Sequence, residues 1–244
     1  MKYLKPRFLN QGEGALVVEF GDEVDPAIYA RVISLDVILR ELALPGLRET
    51  TPSFRSLLVY YEPIDINRRD LIKKIEEIID SQKIISTPSE RRCWTIPCCY
   101  DPTLAEDINE AAARLNISSQ TLANTHVSVT YQAYMYGFSP GWCYLGGTAP
   151  ALSLPRRDTP RSPTPTGAIL IAAGLSLIAT NPMPTGWYVI GRTPERLFLL
   201  NRNPPFLISP GDNIKFEAID AVTFADLEAR ATLGEIVTQV TTTQ

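Results

Sequence analysis

The 244-residue chain is short of the residues that build metal sites and disulfide bridges. It has a single histidine, His126, and four cysteines with no C-x-x-C spacing among them. Adjacent Cys98 and Cys99 cannot readily serve one metal ion or one bridge, so we expect no metal site. The sequence predicts buried, reduced thiols instead.

Long apolar runs and an excess of positive charge are also absent. No run approaches the roughly 20 residues that cross a bilayer, and the opening MKYLKPRFLNQGEG has no signal-peptide pattern. The net charge is −4, so the overall field favours neither nucleic acid nor anionic membrane. We therefore expect a cytoplasmic protein that binds neither of them. Phosphate loops of the GxxxxGK[ST] type and the GxSxG nucleophile elbow do not occur.

The first part of the chain alternates between β-prone and helical patterns. The order β-α-β-β-α is typical of a ferredoxin-like domain, which we place at residues 1–85. CWTIPCC (Cys93–Cys99) is a candidate for its last strand. The earlier segments are Ala15–Phe20 (β), Ile28–Leu42 (α), LRETTPSF and SLLVYYE (β), and Asp70–Ser81 (α).

A polar stretch, Ser86–Arg92, indicates a linker, and the composition changes near it. From Pro88 onward lie 15 of the 20 prolines and 10 of the 14 glycines, which separate short β-prone runs. Such punctuation favours a β-barrel or sandwich, here over residues 90–244. The β-prone runs are HVSVTYQAYMY, AILIAAG, LSLIAT, GWYVIG, LFLLN and DNIKFEAI. Helices are predicted at Leu104–Leu115, after Ser118 and at Asp226–Leu233.

Arginines concentrate between Tyr134 and Asp212, close to glycines. Guanidinium groups suit carboxylate or phosphate oxygens, and glycines let backbone N–H groups approach an anion. Any single arginine can equally be a solvated surface residue, but the group as a whole favours an anion site. Its members are Arg156, Arg157, Arg161, Arg192 and Arg202.

His126 is the only side chain with an ordinary pKa near neutrality, so it is a candidate general acid or base. A histidine at a helix end before a strand fits the spacing equally well. In YMYGFSPGWCYLGG (Tyr134–Gly147), the aromatic side chains of Phe138, Trp142 and Tyr144 can form a wall for a small ring or for a partner protein. No reaction follows from spacing alone.

Several long motifs, in order, resemble the family of 5-oxoprolinase B subunits, which also includes allophanate hydrolase subunit 1, KipI-type kinase inhibitors and carboxyltransferase subdomains. The resemblance covers nearly the whole chain. The motifs are PRFLNQGEGALVVEFGDEVDP, PSFRSLLVYYEP, IPCCYDPTLAEDI, His126, YMYGFSPGWCYLGG, PRRDTPR, GWYVIGRTP and SPGD.

The resemblance implies α+β architecture, with a ferredoxin-like N-terminal domain and a cyclophilin-like β-barrel. It also implies a KipA-like partner, the C subunit, and together with the A subunit an ATP-dependent opening of the 5-oxoproline lactam to glutamate. ATP, with or without Mg²⁺, would then bind this chain or a site shared with the partner. The site residues implied are His126 as proton donor or oxyanion stabiliser, with Arg156, Arg161, Gly167 and Arg192 binding substrate or phosphate.

Some positions depart from the family's pattern, and two other functions stay open for that reason. Where the family usually reads GxQTGIYP, this chain has GLSLIAT (Gly174–Thr180), with Ser176 in place of a threonine. Thr164–Ile169 and Met183–Trp187 also differ from the usual VPAGSV and SPGGW. A changed substrate or lost catalysis would each explain this. The alternatives are a KipI-like inhibitor that binds a histidine kinase and a carboxyltransferase-type subunit with a biotin-carrying partner.

Overall fold

The computed structural model describes residues 1–81 and 91–243. The chain divides into two units, which are described separately. The predicted domain limits at residues 85 and 90, and most of the predicted linker Ser86–Arg92, lie outside the described residues.

The N-terminal unit is a four-stranded antiparallel sheet with two helices. The sheet order is β1-β2-β4-β3, and α1 connects β2 to β3. The elements are β1 (Lys2–Asn10), β2 (Ala15–Gly21), α1 (Pro26–Leu42), β3 (Leu47–Pro52), β4 (Ser56–Tyr61) and α2 (Arg68–Asp80).

Helix α1 forms where the sequence predicts it, because its start signal and its apolar spacing agree. The Asp25 carboxylate accepts hydrogen bonds from the N–H groups of Ala27 (2.6 Å) and Ile28 (3.2 Å), and Pro26 occupies the first turn. The apolar face of α1 then packs on alternate residues of β2 and β4. The buried side chains include Ile28, Val32, Leu35 and Leu39 of α1, Leu16 and Val18 of β2, and Leu57 and Val59 of β4.

The prediction that Cys93–Cys99 completes this sheet is wrong. That segment belongs to β5 (Arg91–Cys99) in the other unit, and the sheet edge next to β2 is formed by β1. Strand β1 is not predicted from the sequence, because most of its side chains are exposed and because it contains Pro6. Both features are typical of an edge strand, which faces solvent along one side.

Within residues 91–243, the second unit is a β-barrel. Seven strands close in the order β10-β8-β9-β7-β6-β11-β5, and β10 pairs back to β5 through Arg192 and Cys99, while β12 extends the sheet beside β5. The strands are β5, β6 (Tyr131–Tyr136), β7 (Cys143–Gly146), β8 (Ala168–Ala172), β9 (Leu175–Ile178), β10 (Tyr188–Arg192), β11 (Asn213–Ile219) and β12 (Gln239–Thr243). The helices are α3 (Ile108–Arg114), α4 (Ser119–Ser128) and α5 (Ala221–Thr232).

The SPGD turn before β11 is fixed to β5 by the carboxylate of Asp212. It accepts hydrogen bonds from Arg92 Nη2, Trp94 Nε1 and the Ser209 N–H, each at 2.8 Å. Asp212 is buried, so these bonds replace the water that the charge loses. Through these bonds Asp212 connects the start of β11 to β5.

The four cysteines are buried and unpaired, as the sequence predicts. Cys98 and Cys143 lie in the barrel core. Burial raises the pKa of Cys143 to about 12 and that of Cys98 further still. Both side chains are therefore thiols at neutral pH.

Two other element predictions need correction. LFLLN is not a strand: it lies in a loop where Phe198 makes an isolated bridge to Phe206. The β-prone run HVSVTYQAYMY begins as helix, because His126 lies in the last turn of α4 and β6 starts only at Tyr131. Helix α3 is also shorter than predicted, and α5 begins five residues earlier, where Asp220 caps it.

Candidate functional site

The predicted site residues Gly167 and Arg192 meet at the end of the barrel where β5 and β10 finish. Arg192 is the last residue of β10 and pairs with Cys99, the last residue of β5. Gly167, just before β8, accepts a hydrogen bond from the Thr193 N–H at 2.9 Å. Its own N–H donates to the Ala179 carbonyl at 2.7 Å. Gly167 can therefore shape this end of the barrel, but its N–H is already used.

Three arginines converge here on three carboxylates from the segment that leads into α3. This arginine–carboxylate cluster consists of Arg157, Arg161 and Arg192 with Glu106, Asp107 and Glu110. The arginine side chains keep only 15–18 % of their surface exposed. Ion pairs this buried depend on good geometry and on a full set of hydrogen bonds.

Asp107 is the innermost carboxylate of the cluster. Its carboxylate accepts hydrogen bonds from Arg161 Nη1 and from the Val189 N–H, each at 2.8 Å, and forms an ion pair with Arg157 Nη2 at 3.1 Å. Its backbone N–H also donates to the Val189 carbonyl at 2.9 Å. Asp107 thus joins the start of α3 to β10 and orients two arginines.

Glu106 bridges the guanidinium groups of Arg161 and Arg192. Arg161 Nη2 donates to Oε2 in a short bond, and Arg192 Nη2 donates to Oε1 at 3.3 Å. Arg157 instead donates two parallel hydrogen bonds, of 2.6 and 3.1 Å, to the Glu110 carboxylate. A carboxylate is therefore the group that the Arg161–Arg192 pair holds.

Two arginines of the predicted group lie elsewhere. Arg156 is exposed, with its guanidinium 5.6 Å from the centre of the Trp187 ring. Arg202 donates to the carbonyl oxygens of a nearby loop, including those of Arg196 and Leu197 at 2.8 Å each. The structure brings three of the five predicted arginines together, namely Arg157, Arg161 and Arg192, and places Arg156 and Arg202 outside the cluster.

His126 is completely buried among the rings of the barrel core. Its ring lies 4.5 Å from that of Phe216 and 5.0 Å from that of Tyr131, centre to centre. Nδ1 is 2.7 Å from the Tyr100 hydroxyl, and Nε2 is 3.3 Å from Ser176 Oγ. Both ring nitrogens therefore have a neighbour within hydrogen-bond distance.

The hydrogen bonds of Ser176 favour one tautomer of His126. With its O–H directed at the Leu170 carbonyl at 3.2 Å, Ser176 Oγ is left to accept from His126 Nε2–H. Nδ1 is then the acceptor for the Tyr100 O–H. Burial lowers the pKa of His126 to about 3, so the imidazole is neutral at physiological pH.

Acidification should lower the free energy of unfolding, because His126 stays neutral in the folded protein. The unfolded chain takes up a proton near the ordinary pKa of 6.5, whereas the buried imidazole stays neutral. The free energy of unfolding should therefore fall by about 2 kcal/mol between about pH 7.5 and pH 5 through this residue alone. Urea unfolding followed by tryptophan fluorescence measures this in the barrel, since Trp94, Trp142 and Trp187 all belong to it.

The control for this measurement is His126→Gln. It should be less stable than the original chain at neutral pH, but its stability should depend less on pH over the same window. Parallel pH dependences for the two proteins would contradict a neutral, buried His126.

The segment that departs from the family's pattern contains a strand, as the β-prone run LSLIAT predicts. Leu175–Ile178 is β9, which is buried throughout and pairs with β7 and β8. Ser176 is its one polar side chain, and it contacts His126. The apolar residues of this segment are thus part of the packed barrel wall.

The three aromatic residues predicted to form a wall do not share one surface. Phe138 is 67 % exposed and has a left-handed backbone, with φ of 69°, while Trp142 beside it is buried and bonded to Asn181 Oδ1 at 2.8 Å. Tyr144 contacts Trp187 instead, with ring centres 5.9 Å apart.

Several residues of this region are not predicted from the sequence. Tyr100 and Ser176 flank His126, and the three carboxylates pair with arginines 47 to 86 positions further along the chain. The only local signal for the carboxylates is the acidic run AEDINE, which also fits an ordinary helix start.

Comparison with known proteins decides the family. The family model described as "Carboxyltransferase domain, subdomain C and D" matches residues 6–208. The 5-oxoprolinase B subunit of Bacillus subtilis (strain 168) is 31 % identical over 222 residues, which cover 85 % of this chain and 90 % of that protein. The chain belongs to the carboxyltransferase subdomain C and D family and to the family of 5-oxoprolinase B subunits.

Two solved structures that resemble this member of the B-subunit family belong to longer chains. TTHA0988, whose crystal structure is known, is 30 % identical in sequence, and the two structures superpose with a TM-score of 0.73. The match covers 85 % of this chain but only 40 % of the TTHA0988 chain. The chain thus spans less than half of TTHA0988. The urea carboxylase of Kluyveromyces lactis is 15 % identical with a TM-score of 0.75 and shows the same fold over 100 % of this chain and 25 % of its own.

Metal-binding groups and membrane-spanning helices are both missing from the described part of this family member. Over residues 1–81 and 91–243, no three His, Cys, Asp or Glu side chains are grouped so that they could hold a metal ion. In the same residues, no helix has the length and apolar character to span a bilayer.

Proposed function

We propose that this chain is the B subunit of an ATP-dependent 5-oxoprolinase-type hydrolase, which converts 5-oxoproline to glutamate together with a KipA-like C subunit and an A subunit. The observation that carries the proposal is the Arg161–Arg192 pair. It holds a single carboxylate at the end of the barrel, in a chain 31 % identical to a 5-oxoprolinase B subunit.

The chemistry of the substrate agrees with such a site. 5-Oxoproline carries one carboxylate next to a lactam, so two guanidinium groups can hold the carboxylate while the amide is presented to the rest of the assembly. His126 and Ser176 are buried, and the imidazole is neutral. In this proposal they support the barrel end by holding Tyr100, which directly follows β5.

The donors of the predicted site residues do not fit a nucleoside triphosphate by themselves. Arg161 and Arg192 are already paired, the Gly167 N–H is used, and Arg156 is the one exposed arginine of the predicted site residues. We therefore propose that ATP and Mg²⁺ bind with the help of the partner protein. The residues of this chain would then position the substrate rather than activate the nucleotide.

Arg192→Gln should raise the KM for 5-oxoproline about 10- to 100-fold, because a charged hydrogen bond to a carboxylate contributes about 1.5–3 kcal/mol. Glutamate and ADP formation by the chain with its cognate partners measures this. Arg230→Gln is the matched control, since Arg230 is an exposed arginine paired with Glu235. Partner binding without any turnover, beside an active set of subunits from another source, would contradict the proposed function.

A second function is favoured by β9 and the buried His126. With the polar residues of the family's pattern replaced and the histidine enclosed, a KipI-like protein that inhibits a histidine kinase would need no chemistry at this site. Titration of a cognate kinase with the chain tests this, because the inhibitor should reduce autophosphorylation. A carboxyltransferase-type subunit would instead require a biotin-carrying partner.

We also propose that the two units are a ferredoxin-like domain and a cyclophilin-like domain. The sheet order β1-β2-β4-β3 fits a ferredoxin-like domain in which β1 takes the place of the usual fourth strand, and the closed barrel fits a cyclophilin-like domain. The protein would act in the cytoplasm.

A further inference from the structure

Glu106 links Arg161 to Arg192 in the arginine–carboxylate cluster. Its side chain is 37 % exposed. It lies in the turn before α3, outside any helix or strand. Asp107, by contrast, is 13 % exposed and also holds the Val189 N–H. Glu106 can therefore turn toward solvent without disturbing the contacts that Asp107 makes.

Glu106 supplies the negative charge that faces Arg192 in the cluster. Asp107 and Glu110 both pair with Arg157, and Asp107 also pairs with Arg161. Among the described residues, Glu106 is the carboxylate that contacts Arg192. Its departure would leave one uncompensated positive charge at Arg192, beside Arg161, in a place with little exposure to water.

Glu106 also leaves some of the donors around it unused. Nε of Arg161 and of Arg192 is buried and has no hydrogen-bond partner in the described part of the chain. Nε and Nη2 form one edge of a guanidinium group, which binds a carboxylate through two parallel bonds. Glu106 contacts Nη2 of both arginines and Nε of neither, so another carboxylate could use donors that Glu106 does not.

We propose that Glu106 is an internal ligand of the Arg161–Arg192 site, and that the carboxylate of a small substrate displaces it. The inference rests on the proposed function, which supplies the substrate class, a cyclic amide with one carboxylate. Displacement exchanges one carboxylate for another and leaves the net charge of the cluster unchanged. A substrate carboxylate must therefore bind Arg161 and Arg192 more favourably than Glu106 does.

The test is calorimetric titration of the purified chain with 5-oxoproline. Glu106→Gln should bind at least about tenfold more tightly than the original chain, because a neutral amide competes poorly for two guanidinium groups. Glu110→Gln is the matched control, since Glu110 is similarly exposed (40 %) but contacts neither Arg161 nor Arg192; its affinity should stay within about twofold. The double variant Glu106→Gln/Arg192→Gln should lose the gain.

Equal affinity in the original chain and Glu106→Gln, no binding by Glu106→Gln, or a gain that survives in the double variant would overturn the proposal. A gain for inorganic phosphate without one for 5-oxoproline would overturn the assignment to a carboxylate. Glu106→Ser serves as a second variant if thermal melting shows that Glu106→Gln does not fold. Because the titration needs no turnover, an inactive assembly with an unchanged Glu106 effect would reject the proposed function alone.

Discussion

Gly167→Ala should destabilise the barrel by about 3–5 kcal/mol. Gly167 has φ of 76°, and a Cβ at this position would lie 2.2 Å from the Thr193 carbonyl oxygen. That oxygen is backbone, and it is fixed because the Thr193 N–H donates to Gly167 itself. Relief of the clash would therefore require β8 and the end of β10 to separate. Urea unfolding followed by tryptophan fluorescence measures the loss.

Gly174→Ala is the matched control for that experiment. Gly174 has nearly the same φ, 74°, but a Cβ there would have no atom within 4 Å. Only the backbone strain remains, and we expect a loss of about 1–2 kcal/mol. If both substitutions cost the same, the close approach of Gly167 to Thr193 is not what limits this position.

Asp107→Ala should cost about 3–5 kcal/mol of stability, because it removes a buried ion-pair partner from two arginines. The Val189 N–H would also lose its acceptor on the Asp107 side chain. The loss should change little at high salt, since buried charges are poorly screened. The measurement is the free energy of unfolding in urea at low and high ionic strength.

Glu110→Ala provides the comparison within the same cluster. Glu110 pairs with Arg157 and Arg114, but its side chain is 40 % exposed, and we expect a loss of about 1 kcal/mol or less. Equal losses for Asp107→Ala and Glu110→Ala would mean that water reaches both carboxylates alike.

The sequence predicts most of the secondary structure because its signals are local. Asp25-Pro26 before a helical repeat defines the start of α1, and short apolar runs between Gly and Pro define most barrel strands. The placement of Cys93–Cys99 and of β1 depends instead on which sheet edge each strand finds. That choice is set by long-range packing, which a single-sequence pattern does not contain.

The candidate site is harder to predict for a related reason. The arginines stand out in the sequence because they lie beside glycines and prolines, and two of those chosen, Arg161 and Arg192, do meet. The carboxylate that bridges them lies more than 50 positions earlier in what reads as a helix start. The spacing around His126 gives no measure of burial, so its neutral state could be read only from the rings that enclose it.

The buried cysteines have a practical consequence for labelling. Alkylating reagents attack the thiolate, and Cys98 and Cys143 are both enclosed and kept protonated by the barrel core. A cysteine introduced on the surface would therefore react ahead of these two native thiols. Fluorophores or spin labels can then be attached at a chosen position, for example near Glu106, without first replacing Cys98 and Cys143.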